Sequence, residues 1–372
     1  MNDTVKSACA ACMASHVFSS AYVFSAQPLQ SNEEKNYMKE AMYYEKKEEL
    51  KVLCKLCPRE CSVADLERGY CGVRENQHGT YYTLVHSRPC TLNLDPIEKK
   101  PFFHFLPGTK AFSLATAGCN MECKFCQNWE ISQFRPEQLQ SMHMPPDVVH
   151  QIAKQKGARS ISYTYSEPVI YYEYVYDTAK LGNATGIKSV VVSNGYIQEK
   201  PIIDLCRYID AIKIDLKAFT EKFYQDVCSG KLEPVLKTLL AIKKTGVWFE
   251  IVVLIIPTLN DSVDEIKKMS AWIFKNLGSD VPVHFTRFHP TYKLKNLPQT
   301  PIQTLIRARE VALSQGLNYV YLGNVPGHEA ENTFCPTCKN MLVKRYGFII
   351  LNIDIKNGKC SRCGRLIAGV WS

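Results

Sequence analysis

Cys119-Asn-Met-Glu-Cys123-Lys-Phe-Cys126 sets three thiols at C-x3-C-x2-C spacing in the loop after a β-rich run. Three thiolates so spaced can wrap one corner of an iron–sulfur cubane and leave its fourth iron without a protein ligand. Such clusters are otherwise held by four cysteines, so the missing ligand is the informative feature. An open iron can chelate a small molecule, as the open position of a catalytic zinc does. A zinc site with its fourth ligand elsewhere is the competing reading. Phe125 before the last cysteine and the loop position after a strand favour the cluster.

Two further groups flank this one. Cys335-Pro-Thr-Cys338 and Cys360-Ser-Arg-Cys363 are C-x2-C knuckles 21 residues apart. Four thiolates in this pattern signal a closed, structural zinc ribbon, with a second iron–sulfur cluster as the rival. Cys54, Cys57, Cys61 and Cys71 follow a C-x2-C-x3-C-x9-C pattern, irregular for a ribbon but ample for a metal. Zinc, an auxiliary cluster and reduced thiols all stay open there. Of the sixteen cysteines, Cys9, Cys12, Cys90, Cys206 and Cys228 stand apart from the three groups.

The elements that position these groups are legible in the same chain. From Ala111 to Asn324, β-rich runs (Ala111–Thr116, Ser160–Tyr165, Ser189–Ser193, Ala211–Leu216, Phe249–Ile256, Val283–Phe288, Tyr319–Leu322) alternate with amphipathic segments. That rhythm is the βα unit with a parallel sheet. The expected fold is therefore α/β, a partial or complete (β/α) barrel whose chemistry sits at the C-terminal strand ends. An open doubly wound sheet is the alternative. The expected division is a leader or flexible tail over 1–48, an N-terminal cysteine-rich module over 49–110, the barrel over 111–325 and a zinc-ribbon-like module over 326–372. The last is built around a hairpin at Leu342–Ile355. Arg74, Asp95, Glu98, Lys99 and His104, between module and barrel, could reach the substrate side, although a charge run of this kind is more often a solvated face. The aromatic stripe Tyr171–Tyr176 reads as packing.

Composition narrows the class. Apolar residues make up 46% of 372 residues and the net charge is +9, which fits a globular chain and excludes disorder, collagen and channels. The cysteines are too clustered for a secreted disulfide scaffold, and metal-binding thiols fit a reducing compartment, so a cytoplasmic location is expected. The uncharged stretch Ser7–Leu29 reads as a leader or tail, with a signal peptide as the lesser alternative. Scattered lysines without interleaved aromatics leave nucleic-acid binding a minor reading.

The C-x3-C-x-Φ-C motif resembles the signature of radical S-adenosylmethionine (SAM) enzymes. The likeness extends to Asp95–Gly108, Gly118-Cys-Asn, Cys126-Gln-Asn-Trp129, Tyr163-Thr-Tyr-Ser-Glu-Pro168, Asp215-Leu-Lys-Ala-Phe219, Arg287-Phe-His-Pro290, the Cys335…Cys363 group and Gly369-Val-Trp371. Together these resemble the radical SAM enzymes of the AmmeMemoRadiSam system, relatives of the pyruvate formate-lyase activating enzymes. The resemblance implies that Cys119, Cys123 and Cys126 ligate a [4Fe–4S] cluster on which SAM is reductively cleaved to a 5′-deoxyadenosyl radical that abstracts hydrogen. It implies SAM contacts from Glu167, Ser193, Asn194, Asp215, Lys217 and His289. Tyr165 and Ser166 stand where relatives carry two glycines, so the backbone there is expected to approach the cofactor differently. The substrate is open, with glycyl-radical activation of a protein as one version. The implied partners are a Memo-like and an AMMECR-type protein and an electron donor such as flavodoxin or ferredoxin, with no membrane role. A non-catalytic metal or iron–sulfur protein that binds a partner or nucleic acid is the competing function.

Overall fold

The computed structural model describes residues 35–372. The leader reading and Cys9 and Cys12 fall outside the described residues. Eight strands form the main sheet: β1 (Thr91–Pro96), β2 (Lys110–Ala115), β3 (Ser160–Tyr163), β4 (Lys188–Ser193), β5 (Ala211–Asp215), β6 (Trp248–Ile255), β7 (Val283–Arg287) and β8 (Val320–Gly323). They lie side by side in sequence order. All neighbours from β2 to β8 are parallel, and β1 runs antiparallel against β2. A doubly wound sheet reverses its strand order part-way; this one does not. The edge strands β1 and β8 are not paired with each other, so the sheet is a partial barrel.

Between the strands lie α1 (Pro146–Gln155), α2 (Tyr172–Lys180), α3 (Glu199–Leu205), α4 (Glu221–Cys228), α5 (Leu232–Thr245), α6 (Val263–Leu277) and α7 (Ile302–Ser314). Their ends follow local chemistry. The Thr220 and Ser262 hydroxyls accept from the backbone N–H groups of Phe223 and Glu265, capping α4 and α6. Gly246 ends α5 at φ 78°, a left-handed turn that a side chain would strain. The strands are buried on both faces, as a helix-covered parallel sheet requires. Tyr171, Tyr172 and Tyr174 of the aromatic stripe are fully buried, packing residues as expected. No helix among the described residues is long and apolar enough to cross a membrane.

The flanking modules meet opposite ends of this sheet. Residues 39–46, read from sequence as tail, pair into two small sheets with Thr80–Thr83 and Val52–Cys54. The N-terminal module therefore begins earlier than residue 49, and its expected last third includes barrel strand β1. At the other end, Glu250, His284 and Tyr321, near the starts of β6, β7 and β8, form a buried polar plug. Glu250 accepts from the backbone N–H groups of Phe103 and His104 at 3.0 and 2.8 Å, and lies 2.7 Å from His284 Nε2. His104 reaches Tyr321 and the Ala368 carbonyl. Arg345, from the C-terminal hairpin Met341–Tyr346/Ile349–Ile353, donates to the Phe103 carbonyl at 2.8 Å. The hairpin forms where the sequence puts it. The expected solvated run does not: Arg74, Asp95, Glu98 and His104 are buried, because each finds polar partners inside.

Candidate active site

Cys119, Cys123 and Cys126 sit in the loop after β2 and line a cavity of about 740 Å³ at the C-terminal ends of the strands. The loop is held tightly. A Cβ at Gly118 (φ 93°) would meet the Cys71 carbonyl at 2.8 Å and Val73 Cγ1 at 2.7 Å, so only glycine fits. The Glu122 and Lys124 N–H groups donate to the carbonyls of Cys228 and Val227. Asn120 donates to the Tyr196 carbonyl and accepts from Asn194 Nδ2, both at 2.8 Å. The Met121 N–H points at Cys119 Sγ (3.4 Å), and Ser132 Oγ lies 3.2 Å from Cys126 Sγ.

Cys228, one of the cysteines outside the sequence groups, proves to be beside Cys123. Its thiol lowers the Cys123 pKa despite burial, with Lys217 adding to the effect. Burial raises Cys119 and Cys126. Three thiols facing one cavity, with N–H and O–H groups aimed at their sulfurs, fit a cluster better than free cysteines, since hydrogen bonds to sulfur are a feature of cluster sites.

Period-two alternation along β5 sends Lys213 and Asp215 to the same face, and Lys217 follows them into the cavity. Lys213 is ion-paired with Asp215 Oδ1, and Lys217 Nζ is 3.3 Å from Oδ2. Burial pushes Asp215 up, but the two ammonium groups outweigh it and hold the carboxyl below its usual range. Burial opposes charge on Lys217 as well; Asp215 and the nearby Cys123 thiol keep it firmly protonated. Its Nζ lies 5.6 Å from the Phe125 ring centroid. The expectation for Asp215 and Lys217 places them rightly together. Lys213, which the same alternation reaches, was missed.

Glu167 is buried, not a surface carboxylate. Its Oε1 accepts from Ser193 Oγ at 2.7 Å and Val169 N at 3.1 Å, and its Oε2 from Asn194 N at 2.8 Å. Burial raises it to about 7 against these donors. Glu167 and Asn194 line the cavity, whereas Ser193 acts from behind through Glu167. His289 is not brought to the cavity: it is exposed and its ring hydrogen-bonds to Gln299. Tyr165 has a left-handed backbone (φ 65°), a conformation that glycine takes most readily. Its carbonyl accepts from Asn128 and its hydroxyl bonds to Asp95, which also pairs with Lys99 and Lys100. Lys99 and Lys100 line the cavity wall too. For Asp95 and Lys99 the sequence favours a solvated face with the substrate side as the alternative, and it is the alternative that the structure shows for Lys99.

The radical SAM superfamily profile matches residues 113–272 of this chain, which span the thiol loop and the strand ends just described. The chain belongs to the radical SAM superfamily. An uncharacterized Methanocaldococcus jannaschii protein, MJ0808, is 46% identical over 332 residues, covering 89% of this chain and 99% of its own length. The pyruvate formate-lyase-activating enzyme of Clostridium pasteurianum is 23% identical over 180 residues, 46% of this chain and 72% of that enzyme. This radical SAM chain is thus a homologue of the activating enzymes. A radical SAM methyltransferase structure from Sphaerobacter thermophilus aligns with a TM-score of 0.48 and 14% identity, covering 61% of this chain and 71% of that one.

The C-terminal thiols are arranged differently. Cys335, Cys338, Cys360 and Cys363 bring their sulfurs within 4.8 Å of one another, the one such group among the described residues. Cys335–Cys363 and Cys338–Cys360 are 3.6 and 3.7 Å apart. A tetrahedron with metal–sulfur bonds of ~2.3 Å has edges of about 3.8 Å, so the set fits one tetrahedral ion.

Proposed function

We propose that this chain binds SAM in the strand-end cavity, against a [4Fe–4S] cluster held by Cys119, Cys123 and Cys126, and uses it for hydrogen abstraction. The observation that carries the reading is the convergence of three thiols, Asn194 and the Lys213–Asp215–Lys217 row on one cavity. When bound, cluster and SAM supply a one-electron cleavage whose 5′-deoxyadenosyl radical takes the hydrogen. The chain's own residues bind and orient. Lys217, kept charged, suits the carboxylate of an amino acid as a charge-assisted partner. Asn194 is fixed at its backbone by Glu167 and at its side chain by Asn120. Glu167 has its oxygens engaged by the chain itself, so it positions the Ser193–Asn194 turn. The C-terminal thiols, in the same reading, hold zinc.

The relationship to the activating enzyme supports a version in which the hydrogen comes from a glycine of a partner protein. Operation beside a Memo-like and an AMMECR-type protein, with a flavodoxin or ferredoxin as donor, rests on sequence resemblance.

The test is 5′-deoxyadenosine release from SAM by the anaerobically reconstituted, reduced protein. Release is expected from wild type and abolished in C119A/C123A/C126A. Cys228→Ser should keep both its iron and the release. No product from fully loaded, reduced protein would support the binding-protein reading instead.

A further inference from the structure

The second thiol group that the barrel chemistry does not use is Cys54, Cys57, Cys61 and Cys71. All four are free and line one small internal cavity with Leu56, Arg59, Arg74, Tyr81, Asn120, Val169 and Ile170 among its walls. We propose that these four cysteines hold a second iron–sulfur cluster of the [4Fe–4S] class.

Three observations carry it. First, all four cysteines line one shared cavity of about 20 Å³, above the roughly 10–15 Å³ that admits a water. A tetrahedral zinc site has no such space, because its sulfurs close to ~2.3 Å around the ion. The C-terminal thiols are closed in that way, and these are not. Like Cys119, Cys123 and Cys126, they are not drawn together within 4.8 Å as the C-terminal thiols are. Second, the walls match the charge. A cubane in its 2+ state on four thiolates carries a net negative charge, and Arg59 and Arg74 are both among the residues lining the cavity, with the Arg74 charge acting on Cys54 and Cys71. Arg59 stacks over Tyr70, 3.5 Å from the ring centroid. Arg74 is partly balanced by Glu173, which leaves Arg59 as surplus cation. Third, the Tyr70 N–H points at Cys61 Sγ at 3.5 Å, and apolar Leu56, Val169 and Ile170 shield the site, the two means by which proteins tune a cluster.

The site abuts the catalytic loop. Arg59, between Cys57 and Cys61, donates to the Asn120 carbonyl at 2.9 Å and to the Ser229 carbonyl. The Cys71 carbonyl packs on Gly118.

The experiment uses the full chain reconstituted anaerobically with iron and sulfide. In C119A/C123A/C126A the barrel ligands are gone and the N-terminal module is untouched. About four irons and four acid-labile sulfides per chain should remain, with a reduced-state electron paramagnetic resonance signal that SAM does not alter. In C54S/C57S/C61S/C71S the same amount should be lost and the SAM-responsive signal kept. Iron and sulfide absent from the first variant, or zinc in their place, overturns the proposal. Adding C335S/C338S to the first variant removes the C-terminal thiols as an alternative home for that iron, so this combination decides the matter even if the second variant fails to fold. The proposal stands apart from the SAM reading, whose failure would appear as two clusters without 5′-deoxyadenosine.

Discussion

The two cysteine modules are built from the same four-thiol count and differ in nearly everything else. The C-terminal set closes to 3.6 and 3.7 Å across its paired sulfurs and sits at the starts of β6–β8, away from the cavity. It is joined to the barrel through Arg345, His104 and the Glu250 plug. The N-terminal set is wider, surrounds a small cavity, and touches the loop that carries Cys119. Position and spacing therefore separate a fastening from a module that belongs to the reacting end. The number of cysteines alone does not.

The largest expected effect tests the fastening. C335S/C338S should release zinc from about one per chain to none and melt the last forty or so residues locally, since structural zinc supplies about 10–16 kcal/mol of folding energy to small metal domains. Iron content and SAM cleavage by the soluble protein should persist; metal analysis beside amide exchange reads both. Loss of iron in that variant would erase the contrast between the modules.

A smaller effect tests how the N-terminal module is attached. Arg74 and Glu173 are 2% and 0% exposed and joined by two bonds, at 2.5 and 3.1 Å. Arg74→Met strands Glu173 as a buried charge, so urea unfolding should show a loss of about 3–5 kcal/mol. A change under 1 kcal/mol would mean that the module is held by its apolar contacts instead.

The reacting end should also carry a pH signature. Glu167 is raised from 4.5 to about 7, so between those values the native chain holds a proton that the unfolded chain has released. The Glu167 contribution to stability is fully present below about pH 4.5 and is lost as pH rises through 7, by on the order of 3 kcal/mol. Glu167→Gln should flatten that slope. An unchanged slope would show that Glu167 titrates alike in the native and unfolded chains.

Much of this was legible in the sequence because periodicity and spacing are local. Seven parallel strands follow from their β-rich runs, and Asp215 and Lys217 share a face because strand side chains alternate. Antiparallel β1 was not legible, since its pairing partner β2 lies beyond an intervening loop and its run Thr91–Pro96 ends in a charge and a proline. Asp95 and Glu98 were misread for the same reason: only tertiary packing tells a buried, paired charge from a solvated one. Cys228 came to Cys123 through the fold of α4 against the loop, a contact between residues more than a hundred positions apart. His289 shows the reverse error, where a residue at a strand end turned outward.

One arginine gives the N-terminal module a mechanical meaning. Arg59 ties the Cys57–Cys61 turn to the carbonyls of Asn120 and Ser229, one on the thiol loop and one just past α4. Three stretches distant in sequence are thereby fastened at a single guanidinium. They should open and close as one cooperative unit, their slowest amides exchanging at a common rate. Loosening the N-terminal turn would then loosen the loop that holds Cys119, so the rigidity of the reacting end is partly set from outside the barrel.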